Sequence, residues 1–164
     1  MAKHYRKKSS SGWWLLGGII VVVIILFVLG RSNNANATTR EVALSCTTDT
    51  FTQFHIHPHL TIAINGVHQE IPTGLGNVPG CMHPLHTHDS SGTIHVEAPE
   101  QRDFTLGDFF AVWGKTFSQD QILDAKTDAT HTITETVNGT EVQTFESTVL
   151  RDSDQIVITY GSKA

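Results

Sequence analysis

The stretch HLTIAINGVHQEI, residues 59–71, decides the fold of this chain. Asn65 and Gly66 form the residue pair that favours a type I′ turn, and apolar residues alternate with polar ones before that turn. A two-residue turn at this position pairs Ile64 with Val67. The stretch therefore predicts a β-hairpin with one apolar face.

Three further segments predict regular structure. The segment TLGDFFAVWG, residues 105–114, predicts a short helix with Thr105 as its N-cap and Gly114 as its C-cap. A second Asn-Gly pair at 138–139 predicts another hairpin, and DQIVITYG at 154–161 predicts a last strand. The predicted fold class is α+β, with a mostly antiparallel sheet and one short helix. The order of hairpin, helix, hairpin and strand resembles a β-grasp arrangement.

An apolar segment near the N-terminus predicts one transmembrane helix. Residues 13–30 contain no charged residue, and four basic residues precede them. By the positive-inside rule, residues 1–12 form a cytoplasmic basic tail and the chain after residue 30 lies outside the cytoplasm. A cleaved signal peptide is an alternative, but the apolar run is long for one, which favours an uncleaved anchor.

The rest of the chain predicts a linker and one domain. Residues 31–45 are small and polar, as in a linker, and residues 46–164 are enough for one domain with a hydrophobic core. Beyond residue 31 the chain has six Lys and Arg against 16 Asp and Glu, which gives a formal charge of −10. So acidic a domain argues against a nucleic-acid partner.

The two cysteines, Cys46 and Cys81, predict a disulfide bond. An even pair in an oxidising compartment is more often bonded than free. The alternative makes Cys81 and Met82 soft ligands for Cu(I).

Histidines are strongly clustered. Nine of the ten lie beyond residue 50, and seven of these nine fall in two dense groups, FHIHPHL at 54–60 and CMHPLHTHDSSGTIHVE at 81–97. Alternate residues of a strand point to the same side, so each His-x-His pair presents two imidazoles to one face. Neutral imidazole is the commonest protein ligand of transition metals. The clusters therefore predict a metal centre.

The predicted metal is copper or zinc, and its predicted ligands are His57, His59, His86, His88 and His95. Asp89 and Glu97 are predicted either as further ligands or as carboxylates that orient these imidazoles, and in an enzyme either could be a general base. His68 is excluded because it lies too far along the hairpin, and His131 because no other histidine is near it in the sequence.

These features favour a membrane-anchored extracytoplasmic protein that captures or handles a transition metal. Two alternatives stay open: an enzyme that uses the same centre as a Lewis acid, and a structural or partner-binding domain that metal holds together. The sequence contains no HExxH motif. Enzyme status therefore stays undecided.

The histidine blocks also bring a resemblance. HPHL…NG, PLHTHD…IHVE and FTLGDFFAVWG together resemble the pattern of an uncharacterised family of secreted or membrane-anchored prokaryotic histidine-rich proteins. The resemblance covers roughly residues 55–114. It implies that the histidine block and the predicted helix belong to one domain, and it implies nothing about a substrate.

Overall fold

The computed structural model describes residues 19–21, 23, 37–46 and 52–163. Both predicted hairpins lie in its largest sheet. The strands of all its sheets, in chain order, are β1 Phe54–Ile56, β2 His59–Ile64, β3 Val67–Gln69, β4 Asn77–Val78, β5 Cys81–Met82, β6 Leu85–His86, β7 His95–Ala98, β8 Phe117–Ser118, β9 Gln121–Ile122, β10 Ala125–Lys126, β11 His131–Val137, β12 Thr140–Val142 and β13 Gln155–Ser162.

The main sheet has five strands in the order β12-β11-β13-β2-β3. Both Asn-Gly pairs turn as predicted, with positive φ angles at all four residues, and the first turn pairs Ile64 with Val67. The last strand, β13, lies between the two hairpins. It runs parallel to β2 and antiparallel to β11. The sheet is thus mostly antiparallel, as predicted for an α+β fold.

A three-stranded sheet, in the order β1-β7-β6, contains three of the clustered histidines, His55, His86 and His95. Its buried side is apolar, because Ile56, Leu85 and Val96 all lie in the core. The alternate positions face the other way, which puts polar residues on one side of the sheet. The remaining strands form small sheets, β10-β9-β8 and β4-β5.

Two α-helices, α1 Thr39–Leu44 and α2 Leu106–Trp113, and a 3₁₀ helix at Phe145–Ser147 complete the secondary structure described between residues 37 and 163. Helix α2 has the predicted caps. Thr105 and Asp108 form a capping box, and Gly114 ends the helix in the left-handed conformation. Phe109 and Phe110 are almost fully buried. Burying each of these rings stabilises the fold by about 1.5–3 kcal/mol, which keeps so short a helix in place.

Helix α1 lies within residues 31–45, the segment that the sequence predicts as a linker. The compact unit that contains the sheets begins at Thr38. Thr38 and Glu41 form a capping box, and Ala43 is fully buried. The guanidinium of Arg40 lies 3.1 Å from the Asp108 carboxylate at the start of α2. The spacing of Thr38 and Glu41 is a sequence signal that could have predicted this helix.

The predicted disulfide is confirmed. Cys46 and Cys81 are bonded, with their Cα atoms 5.5 Å apart. The bond joins the chain just after α1 to β5, two residues before His83. Next to the bond, α1 contacts the second histidine group through a hydrogen bond between His83 and the carbonyl of Ala43.

The predicted membrane segment falls mostly outside the described residues. Within residues 13–30, only 19–21 and 23 are described, and these are helical. No helix in the described part of the chain is long and apolar enough to span a bilayer.

Candidate metal centre

The histidines converge on β7, the middle strand of the three-stranded sheet. Strand pairing sets Glu97 opposite His55 on β1 and His95 opposite His86 on β6. His57 follows β1 directly, and its ring centroid lies 4.6 Å from that of His95. Opposed strands therefore assemble side chains that are about 40 residues apart in the sequence.

Two groups of side chains have ligand atoms close enough to hold a metal ion. The first contains His86, His88, His95 and Glu97, and the second contains His55, His57 and His95. Within each group, the ligand atoms lie within 4.8 Å of one another. His95 belongs to both groups.

The first group has nearly the spacing of a tetrahedral site. Oε1 of Glu97 lies 3.9 Å from Nε2 of His86 and 3.9 Å from Nδ1 of His95. Bonds of about 2.1 Å in tetrahedral geometry separate two ligand atoms by roughly 3.4 Å. Each of these two distances would have to contract by about 0.5 Å for the atoms to bind one ion.

Hydrogen bonding prepares His86 as a ligand. Its Nδ1 donates to the backbone carbonyl of His83 at 3.1 Å, so in the neutral ring the lone pair is on Nε2. That Nε2 is buried and has no hydrogen-bond partner, and the same is true of Nδ1 of His95. Buried polar atoms are rarely left unpaired, because each costs about 1–3 kcal/mol. Two such nitrogens facing one carboxylate indicate a ligand site.

The protonation of these two imidazoles also suits metal binding. Burial lowers the pKa of His86, and it lowers the pKa of His95 together with the nearby imidazoles of His88 and His57. Both rings are therefore neutral at neutral pH. A neutral ring offers a lone pair, and a protonated ring does not.

His83 connects the centre to α1. Nδ1 of His83 donates to the carbonyl of Ala43 at 3.3 Å, while its own carbonyl accepts from His86. This chain of hydrogen bonds runs from α1, next to the disulfide, to a candidate ligand. Such outer partners fix the orientation of ligands.

Four of the five predicted ligands, His57, His86, His88 and His95, are brought together, but His59 is in neither group. Nε2 of His59 donates to the carbonyl of Ser91 at 2.8 Å. His59 begins strand β2, which pairs with β13 in the main sheet and is not part of the three-stranded sheet. On its other side, His59 forms an isolated antiparallel bridge with Thr93. The alternation of histidines at 55, 57 and 59 predicts a common face, but it does not show which pair of the three the cluster uses.

His55 belongs to the cluster although it was not among the predicted ligands. Its Nε2 lies 3.1 Å from Oε1 of Glu97, which draws the ring towards the cluster. The sequence does contain a signal for His55, because His55 and His57 form a His-x-His pair whose side chains point to the same face of a strand. Choosing between His55 and His59 required the position of Glu97 relative to β1.

The two predicted carboxylates have different surroundings. Glu97 lies within the first group, beside three imidazoles. Asp89 is exposed and in neither group; its carboxylate accepts from the backbone N–H of Ser91 at 2.8 Å. Hydrogen bonds from Ser91 lower the pKa of Asp89, with a smaller contribution from His95 and His88. Asp89 therefore shapes the turn that leads to β7.

The two excluded histidines lie outside both groups. His68 is exposed on β3, opposite Ala63. His131 stacks on Tyr160 with the rings 5.3 Å apart, and Asp128 lies beside it. These two residues therefore serve as control positions.

Comparison of the chain with models of protein families, with curated proteins and with solved structures gives no match. The function is accordingly inferred from the geometry of the histidine cluster.

Proposed function

We propose that this protein binds a transition metal, copper or zinc, through its histidine cluster and serves to capture or handle that metal outside the cytoplasm. The observation that carries the proposal is the pair of buried, unpartnered nitrogens on His86 and His95. A bound cation would give both lone pairs a partner and would offset the cost of burying them.

The chemistry of the donors supports a borderline transition metal. The ligand atoms are imidazole nitrogens with one carboxylate, and such a set suits Zn²⁺ and Cu²⁺. Cys81 is not available as a soft ligand, because it is bonded to Cys46. The competing idea of a Cu(I) site at Cys81 and Met82 thus loses its thiolate.

The exposure of the cluster favours exchange of the metal. His88, His55 and His57 are exposed, while His86 is fully buried. One side of the centre is therefore held by the core and the other is open to solvent. A metal that only held the fold together would be expected in a closed shell of protein ligands.

The location is part of the same proposal. An anchor at 13–30 with a cytoplasmic basic tail would hold the domain at the outer face of the membrane. The Cys46–Cys81 disulfide supports an oxidising compartment. Protease added to intact cells should remove the domain and spare the N-terminus, and a protected domain would contradict this orientation.

The proposed fold type is β-grasp. Support comes from the last strand, β13, which lies between two hairpins and runs parallel to β2. Resemblance to the prokaryotic histidine-rich family stays a proposal of the same kind.

The test is a titration of the full-length protein, purified without a histidine tag, with Cu²⁺ and with Zn²⁺. His88→Ala should weaken binding by at least about tenfold, since loss of even an outer-shell partner costs about 10–100-fold. His88 is exposed, so its removal spares the core. His59→Ala and His68→Ala are the matched controls, and both should bind like the wild type.

Equal affinities for the His88→Ala and His68→Ala variants would overturn the proposal, because the histidines would then act as independent surface groups. Weak binding by His59→Ala would instead restore His59 to the ligand set.

A further inference from the structure

The position of His95 carries a further inference about the same centre. His95 lies on the middle strand β7, with one pair of histidines on each side. Its ring contacts those of His57 and His88 most closely, with centroids 4.6 and 4.3 Å away. Among the described histidines, the ring contacts join each pair to His95 and do not join one pair to the other.

One ion cannot use all of these histidines in this arrangement. An imidazole nitrogen binds Zn²⁺ at about 2.0–2.1 Å, so two ligands of one ion are at most about 4.2 Å apart. The ligand atoms separate into two groups, and within the described residues no single group contains all five histidines. The geometry thus offers two positions for an ion, on either side of His95.

We propose that the centre holds two transition-metal ions side by side, with His95 as a ligand of both. His86, His88 and Glu97 complete the inner site, and His55 and His57 complete the outer site. This inference rests on the proposed function, and it specifies the stoichiometry of binding and the order in which the ions bind.

The two nitrogens of the His95 ring make the sharing chemically possible. Nδ1 is buried, unpartnered and 3.9 Å from the Glu97 carboxylate, which assigns it to the inner site. Nε2 is then the donor for the outer site. In a neutral ring one nitrogen carries a proton, so binding of the second ion displaces that proton to solvent and leaves a bridging imidazolate.

Acidic residues lie beside both outer histidines. Nε2 of His55 lies 3.1 Å from Oε1 of Glu97, so Nδ1 is the nitrogen that would bind a metal. A carboxylate that accepts the other ring proton fixes the tautomer and raises the basicity of the ligand. Asp152 accepts from the backbone N–H of His57 at 2.9 Å, but its carboxylate lies 4.0 Å from Nδ1 of that ring, which is beyond hydrogen-bond distance, so it positions the backbone of His57 and leaves the tautomer of the ring open.

The two sites differ in exposure, and this sets the order of filling. The side chain of His86 is completely buried, whereas those of His55 and His57 are 46% and 44% exposed. The buried inner ligand is already ordered, so binding there costs less conformational entropy. The inner site fills first and holds its ion more tightly, and the outer site exchanges its ion with solvent.

The experiment is a Cu²⁺ titration of the full-length protein, followed by metal analysis and by electron paramagnetic resonance. Wild type should bind two equivalents. Its signal should rise up to one equivalent and fall as the second is added, because two Cu²⁺ ions joined by an imidazolate couple their spins. His57→Ala should bind one equivalent with no later loss of signal, and the control His68→Ala should behave as wild type.

The outcomes separate this inference from the proposed function. A wild type that binds no Cu²⁺ overturns both. One equivalent bound by wild type, with His57→Ala unchanged and His88→Ala weakened, overturns only the two-ion centre. Two equivalents with an undiminished signal overturn the shared ligand.

Discussion

Gly76→Ala should weaken metal binding although Gly76 is not a ligand. Gly76 lies in the loop between β3 and β4, and its carbonyl accepts from the backbone N–H of His83. A Cβ atom at Gly76 would lie 2.5 Å from the carbonyl oxygen of Leu85 and 2.9 Å from Cβ of His86. The added methyl group would therefore press on β6, the strand that carries the most buried ligand.

The structure gives the size of the effect. Ordinary contact for a Cβ begins at 3.4 Å, so the Leu85 carbonyl and the methyl group must separate by about 0.9 Å. Overpacking of this kind costs about 1–3 kcal/mol. The positive φ of Gly76 adds about 1–2 kcal/mol for a residue with a side chain. The free energy of unfolding should therefore fall by about 2–5 kcal/mol. Metal binding should also weaken, because a ligand tolerates displacement of only about 0.5 Å from its productive position.

Gly74→Ala is the matched control. Gly74 lies in the same loop, has a similar positive φ of 69°, and has no atom within 4 Å of the point that a Cβ atom would occupy. The Gly74→Ala variant should lose only about 1–2 kcal/mol of unfolding free energy, from the strain of a positive φ angle, and should keep its metal affinity.

Urea unfolding of both variants measures the free energy of unfolding, and Cu²⁺ titration under native conditions measures the affinity. We expect Gly76→Ala to bind more than about tenfold more weakly than Gly74→Ala. If the two variants bind Cu²⁺ equally well, then the position of β6 does not govern the centre and the reasoning fails.

Two other predictions concern stability. Cys46→Ser should lower the free energy of unfolding by about 4 kcal/mol, because the disulfide closes a loop of 35 residues and so limits the entropy of the unfolded chain. An unchanged urea midpoint for this variant would contradict the prediction. Glu135→Gln should alter the dependence of stability on pH, since burial raises the pKa of Glu135 above 4.5. The folded wild type then binds this proton more tightly than the unfolded chain, so its contribution to stability falls as pH rises above 4.5. Relative to wild type, the Gln variant should gain stability as the pH rises above 4.5, and a difference independent of pH would refute the prediction.

Local sequence alone was enough to predict the hairpins, the helix α2 and the disulfide. Asn65-Gly66 and Asn138-Gly139 favour the positive φ angles of their turns whatever surrounds them. Thr105 and Gly114 cap α2 through contacts within a few residues of each other. The turns and the caps depend on neighbours in the chain, so the sequence displays them directly, and two cysteines allow only one intramolecular pairing.

Only some residues of the candidate metal centre could be predicted from the sequence. The density of histidines at 55–59 and 83–95 predicted a cluster, and four of the predicted ligands do converge. The sequence treats His55 and His59 alike, since both are two residues from His57. Which of them joins the cluster depends on Glu97 and Ser91, two residues that are distant in the sequence.

The sequence by itself therefore determined the local elements and the residue types of the candidate site, and the tertiary structure decided how those side chains are arranged. Strand pairing is non-local, and it alone places His95 between two pairs of histidines. Packing against the core buries Nε2 of His86 and leaves it without a hydrogen-bond partner. Both results arise from contacts between distant segments, and no periodicity or motif within a single segment encodes them.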